Sequence, residues 1–170
     1  PDLVVSGINH GSNSSTSVLY SGTMSAAIEA AIEGLPAIGF SLCDYHPRPD
    51  FSHIKEYVKK ITLQVLAKNP PTGIALNVNF PINSSKPIKG IKLCRQAIAK
   101  WEENFEERHD PNGRRYFWMS GTFINTDNAE ETDEWALEHN YISIVPCAYD
   151  MTAHYALGAL NRDWELLKSL

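Results

Sequence analysis

Cysteine is scarce in this sequence: Cys43, Cys94 and Cys147 are the only three in 170 residues. Their number is odd, their spacing wide and no Cys-x-x-Cys pair occurs, which argues against a disulfide framework or a zinc ribbon. Each lies in or beside an apolar run, so the expected state is a buried, reduced thiol. The six histidines are scattered, without His-x-x-x-His or Glu-x-x-His spacing, and no zinc site is expected. No stretch approaches the roughly twenty uninterrupted apolar residues of a membrane span, and no charged-then-apolar leader is visible, so the expectation is a cytoplasmic protein without membrane contact. Excess positive charge is also missing. A formal net charge of -5 advertises no polyanion-binding surface, and nucleic acid is not an expected partner, although a small phosphate ester needs only local positive potential. Internal repeats and low-complexity segments are absent as well. What remains is an ordinary globular composition, about a fifth charged and just over two-fifths hydrophobic, at a length suited to one domain over residues 1–170.

The most informative stretch runs from Leu3 to Leu35, LVVSGINHGSNSSTSVLYSGTMSAAIEAAIEGL. A short apolar run, a loop dense in Gly, Ser and Asn, and an Ala-rich amphipathic segment predict a strand-loop-helix unit. Tyr20-Ser21-Gly22-Thr23 falls where the helix should begin. The first amides of a helix have no intrahelical acceptor and the dipole is positive there, so this end suits an anion such as phosphate. Ser21 or Thr23 serves equally well as a plain N-cap. Asn9 and Asn13, with Gly7 and Gly11, follow the strand directly. Carboxamides offer an oxygen to a hard cation and donors to phosphate oxygens, and glycines let backbone approach a ligand; Asx turns are the plain alternative. His10 sits in the same loop and reads as a solvent-facing residue.

The string SGINHGSN, followed by YSGTMSAAIEAAIEGLPAIGFS, closely resembles the SurE family of divalent-metal-dependent 5'-nucleotidases, also called survival or stationary-phase acid phosphatases. LNVNFP at 76–81, Thr132-Asp133, YISIVP at 141–146 and Asp150-Met151-Thr152 continue the likeness over nearly the whole chain. The resemblance implies a Mg2+ or Mn2+ cofactor, Asn9 as a metal ligand, and Asn13, Ser21, Gly22 and Thr23 as the phosphate cradle. It also implies a leading Asn-Asp-Asp-Gly stretch whose aspartates hold the metal and a further serine ligand. None of that precedes Pro1, and the chain opens almost inside its first strand, so the expectation is a chain lacking its N-terminal portion. Thr16 and Ser17 stand where many relatives carry acidic residues.

Farther along, Pro36–Leu42 reads as a buried parallel strand after a helix ended by Gly34. Phe51–Ala67 has helical spacing, with Ser52 as N-cap and Asn69-Pro70-Pro71 as the stop. Gly73–Phe80 is a third strand that puts Asn77 and Asn79 on one side, facing either the site or an exposed sheet face. Ile88–Gln96 reads as a half-exposed antiparallel strand. Asp110-Pro111-Asn112-Gly113 is strong turn chemistry and centres a projecting β-hairpin over 101–122, with Trp101, Phe105, Tyr116 and Trp118 on its arms. Such an arm either meets a partner or folds back on its own domain. Glu130, Glu131, Asp133 and Glu134 read as a solvated helix entrance, with cation binding as the alternative. A strand at 141–146 and an amphipathic helix over 152–170, with Ala156, Leu160, Trp164 and Leu167 on one face, complete the chain.

The expected fold is α/β: a helix-covered, mostly parallel, Rossmann-like sheet with an antiparallel hairpin extension and a C-terminal helix. The site is expected at the carboxyl ends of the strands. Through the resemblance, the expected function is hydrolysis of nucleoside 5'-monophosphates, in a homodimer or homotetramer built through the hairpin and the terminal helix. The alternative is a catalytically incomplete phosphate-binding and oligomerisation fragment. A serine hydrolase using Ser21 lacks the Gly-x-Ser-x-Gly elbow and assignable partners, and no catalytic residue or general base is named.

Overall fold

Among the described residues four α-helices, α1 (Gly22–Ile32), α2 (Lys55–Ala67), α3 (Asp133–Glu138) and α4 (His154–Asp163), accompany seven strands. The strands are β1 (Val4–His10), β2 (Ala37–Leu42), β3 (Ile74–Phe80), β4 (Gly90–Leu93), β5 (Ala99–His109), β6 (Arg115–Asn125) and β7 (Tyr141–Ala148). These come from a computed structural model that describes residues 1–82 and 86–164. One sheet has the order β1-β2-β3-β7-β4 and the other pairs β5 with β6. β1, β2 and β3 run parallel; β7 is antiparallel to β3, and β4 is parallel to β7.

The two sheet faces differ in residue size, and the helices follow. On one face Ile38, Phe40 and Leu42 of β2 and Val78 and Phe80 of β3 pack with Ile54, Ile61 and Val65 from the α2 region. The Phe40 and Phe80 rings lie 6.0 Å apart, and burying each such side chain contributes about 1.5–3 kcal/mol. On the other face Ala37 and Ala75 meet Met24, Ala27, Ala30 and Ala31 of α1. Small residues on both sides bring this helix close to the sheet. A Cβ at Gly39 would collide with the Met24 sulfur. At the end of α1, Gly34 takes φ +76°, and the Gly34 and Leu35 amides donate back to Ala31 and Ala30.

Strand alternation carries this second face onward from Ala37 to Gly39 and Ser41, and from Ala75 to Asn77 and Asn79, with Gly39 beside Asn77 and Ser41 beside Asn79. The face thus turns from alanine to polar side chains toward the carboxyl ends of the strands. Asn77, Asn79 and Ser41 are all fully buried. This corrects the reading of the asparagines as an exposed sheet face. Their neighbour is the Asn9–Thr23 loop instead of water.

Three other expectations need correction. β4 is not antiparallel to its neighbour: it lies parallel to β7 at the sheet edge. Alternation reveals a half-exposed strand but not its direction, which is set here by the long excursion through β5, β6 and α3. Ser52 does not cap α2; the helix starts after Ile54, and the Ser52 hydroxyl donates to Asp50 across a 3-10 turn. The acids at α3 are not all solvated: Thr132 caps the helix by accepting from the Trp135 amide at 3.2 Å, while Asp133 is fully buried.

The hairpin is longer than 101–122, with its turn at Asp110–Arg114 tied by Asp110 to the Asn112 and Arg114 amides. Cross-strand pairing sorts its residues onto two faces. Trp101 opposite Phe123, Phe105 opposite Met119 and Glu107 opposite Phe117 share one; Glu106 opposite Trp118 and Arg108 opposite Tyr116 share the other. Most of these side chains are exposed, among them Phe105 at 60% and Met119 at 66%. α4 buries none of its residues, and Trp164 follows its last turn; Leu167 lies outside the described residues. No described helix is long and apolar enough to cross a membrane.

Candidate functional site

The loop after β1 is held from below by the polar end of the sheet. Asn79 Oδ1 accepts from the Asn13 amide at 2.9 Å, and Asn77 Nδ2 donates to the Asn13 carbonyl at 2.8 Å. The two supports are joined, since Asn79 Nδ2 donates to Asn77 Oδ1 at 2.9 Å. Asn13 Nδ2 donates in turn to Ser41 Oγ at 2.5 Å. A buried amide left without partners costs about 1–3 kcal/mol, so each carboxamide here fixes the next. Strand alternation put Asn77 and Asn79 on one face without telling the site from a solvated surface, and Ser41 carried no mark at all.

Asn9 and Asn13 are brought together. Asn9 Nδ2 donates to the Gly11 carbonyl at 3.0 Å and to Asn13 Oδ1 at 3.4 Å. With its donors turned inward, Asn9 keeps Oδ1 as the atom available to a cation or a donor. Asn13 is buried, with one of its two Nδ2 hydrogens committed to Ser41.

Ser21 is the N-cap of α1, and its Oγ accepts from the Met24 amide at 3.1 Å. This is the plain capping role, and it leaves the preceding amides of Gly22 and Thr23 at the helix mouth, where no intrahelical acceptor exists. Gly22 is exposed, with nothing within 4 Å of the position a Cβ would take. Backbone is therefore open to an approaching anion, which the dipole favours.

From above, the loop is held by α3. Asp133 Oδ2 accepts from the Ser15 amide at 2.8 Å, while Oδ1 accepts from the Ala97 and Glu134 amides at 2.9 Å each. One buried carboxylate thus joins the motif loop, the approach to β5 and the start of α3. Ser15 has φ +50°, a strained setting for a serine that these contacts maintain. Ser14 Oγ donates to Glu134 Oε1 at 2.5 Å. Burial pushes both carboxyls above their ordinary values, opposed at Asp133 by its amide donors and at Glu134 by Ser14. Thr16 donates to the Ala99 carbonyl at 2.6 Å and anchors the root of the hairpin. Asp133 and Thr16 were missed as site supports because their partners lie far away in sequence.

Among the described residues there is no group of three or more His, Cys, Asp or Glu placed to hold a metal. Asn9 offers one neutral oxygen, and Asp133 and Glu134, the carboxylates that bond to this loop, are engaged with amides and Ser14.

The family model for the survival protein SurE matches residues 1–103. Over 167 residues the chain is 68% identical to the 5'-nucleotidase SurE of Cytophaga hutchinsonii, covering 98% of this chain and 64% of that protein. It is 60% identical to the 5'-nucleotidase SurE of Flavobacterium psychrophilum, covering 99% of this chain and 65% of that one. The crystal structure of the SurE protein from Aquifex aeolicus superposes with a TM-score of 0.78 at 34% identity, over 95% of this chain and 65% of that one. The chain therefore spans just under two thirds of the length of these relatives.

Proposed function

We propose that this chain, which belongs to the SurE family, carries the phosphate-binding side of a 5'-nucleotidase that hydrolyses nucleoside 5'-monophosphates to nucleoside and phosphate. The observation that carries this reading is the buried Asn79-Asn77-Asn13-Ser41 network, which holds the Asn9–Asn13 loop at the carboxyl ends of the parallel strands. A sheet end built from four fully or nearly buried polar side chains has no packing advantage over leucine or valine. It is readily understood as support for a site.

In this reading the amides of Gly22 and Thr23 at the mouth of α1 receive phosphate oxygens. Ser21 orients that mouth through its cap, and Asn13 contributes its remaining carboxamide hydrogen. Fixed dipoles of this kind stabilise charge that develops on the phosphoryl group without reorganising. Asn9 Oδ1 is the donor offered to a divalent cation, Mg2+ or Mn2+ by family expectation. A hard dication needs several oxygen ligands with carboxylates among them, and the described residues do not supply that set. The same shortfall supports the second reading, a phosphate-binding and oligomerising piece that is catalytically incomplete.

The hairpin is the proposed means of self-association into a homodimer or homotetramer, because its Phe105, Phe117 and Met119 face is left exposed. The functional reading is tested by phosphate release from adenosine 5'-monophosphate in the wild type and in Asn9→Ala and Asn13→Ala. Each substitution is expected to lower kcat/KM by about tenfold or more, the scale of one lost hydrogen bond to a charged group. Undiminished activity in both variants would remove the loop from the mechanism.

A further inference from the structure

Beside the motif loop lies a cleft of about 300 Å3, walled by Cys43, Tyr45, Trp101, Phe123, Leu137 and Glu134. Ser12 and Ser14, the two neighbours of Asn13, form its inner edge. The edge is fixed: the Ser12 amide donates to Tyr45 Oη at 3.2 Å, and Ser14 donates to Glu134. Across from it, the Trp101 and Phe123 rings stand 5.6 Å apart, inclined by 58°, as a single aromatic wall at the root of the hairpin. Glu134 lines this space. Its surroundings are Ser14, Ser15, Asp133 and Glu138, so the local potential is negative.

A second anion is therefore unwelcome in the cleft, whereas an uncharged planar group rich in N–H and O–H donors fits. We propose that the cleft takes the nucleoside half of the substrate, with the base against the Trp101–Phe123 wall and Glu134 accepting from a sugar hydroxyl or a base N–H. This rests on the nucleotidase reading above and extends it, since phosphate at the Asn13 loop places the sugar and base within reach of Ser12 and Ser14. The volume is at the lower end of small-ligand sites, which are aromatic-lined with a few convergent polar groups. A larger cavity of about 670 Å3 along the arm shares Trp101 but is lined by Thr16, Ser17, Tyr20 and Lys100 in place of Ser12 and Ser14.

The test uses adenosine and ribose 5-phosphate as probes, with wild type, Trp101→Ala and Glu134→Gln. Saturation-transfer NMR should show adenosine contacting the wild type and lose most of that signal in each variant, with thermal melts verifying that all three are folded. The ratio of kcat/KM for adenosine 5'-monophosphate over ribose 5-phosphate should fall by about tenfold in each, the lower range for a lost base-aromatic stack in Trp101→Ala and for a lost hydrogen bond to a charged group in Glu134→Gln. No transfer to adenosine in the wild type, or transfer and a ratio undiminished in both variants, would overturn the proposal. If no ester at all is hydrolysed, the nucleotidase reading fails, and the adenosine signal alone decides the cleft.

Discussion

Replacing Asp133 by Asn keeps the shape of the side chain and removes one acceptor oxygen from a buried point where three backbone amides converge. With its remaining oxygen toward Ala97 and Glu134, the new carboxamide turns its NH2 toward the Ser15 amide, donor against donor. An orphaned buried donor costs about 1–3 kcal/mol and a lost charge-assisted bond about 1.5–3 kcal/mol; because the two overlap and removing the charge returns part of its burial penalty, a total of about 2–4 kcal/mol is expected. That is a large fraction of the roughly 5–15 kcal/mol that holds a domain together. With a urea slope of about 2 kcal/mol/M, the unfolding midpoint should drop by about 1–2 M. Because the strained Ser15 lies in the motif loop, affinity for adenosine 5'-monophosphate should fall as well. A variant within about 0.5 kcal/mol of wild type would refute the clamp, since that is the scale of an ordinary surface change. A destabilised variant with unchanged nucleotide affinity would confine Asp133 to holding the fold.

Asn79→Leu should cost about 2–5 kcal/mol in urea unfolding, because it leaves the Asn13 amide and Asn77 Oδ1 buried without partners; a loss under about 1 kcal/mol would dissolve the proposed network. Burial raises the Glu134 carboxyl, so its contribution to stability is present below its ordinary value and lost as pH rises through the shifted one. Glu134→Gln should therefore gain on wild type in melting temperature as pH rises above the ordinary carboxylate value, and a pH-independent difference would contradict this. Burial pushes the Cys43 thiol up to about 12 and Cys147 to about 11, so both should resist iodoacetamide at pH 8 in the folded protein and react quickly in urea; fast native labelling would count against it. The Arg95 guanidinium pair to Asp127, at 2.5 and 2.9 Å, holds that carboxyl at about 2, and an NMR titration of Arg95→Ala should find it raised; an unmoved value would discount the pair.

Much of the architecture was legible because it is written in local signals. The buried run Ala37–Leu42, the helical spacing after Ile54, the Pro-Asn-Gly turn at 111–113 and the small-residue loop before α1 each announce themselves within a dozen residues. What was misread depends on distant partners. The direction of β4 is decided by where a long excursion returns, and no residue in Gly90–Leu93 records it. Asn77 and Asn79 look the same on a solvated face or beneath a loop; only the Asn13 backbone, more than sixty residues earlier, tells which. Asp133 resembled its exposed neighbours Glu130 and Glu131 for the same reason. The hairpin aromatics were counted correctly as a group, but strand pairing was needed to separate Trp101 and Phe105 from Tyr116 and Trp118. Ser21 illustrates the remaining ambiguity: it is a cap by geometry, and its part in binding phosphate rests on the helix mouth it orients.

The most direct measurement is phosphate release from a panel of nucleoside 5'-monophosphates with Mn2+ or Mg2+ supplied, repeated in the presence of chelator. The account predicts release that depends on the added metal and is abolished by chelation. Release indifferent to chelator, or none with either metal, would contradict the nucleotidase reading.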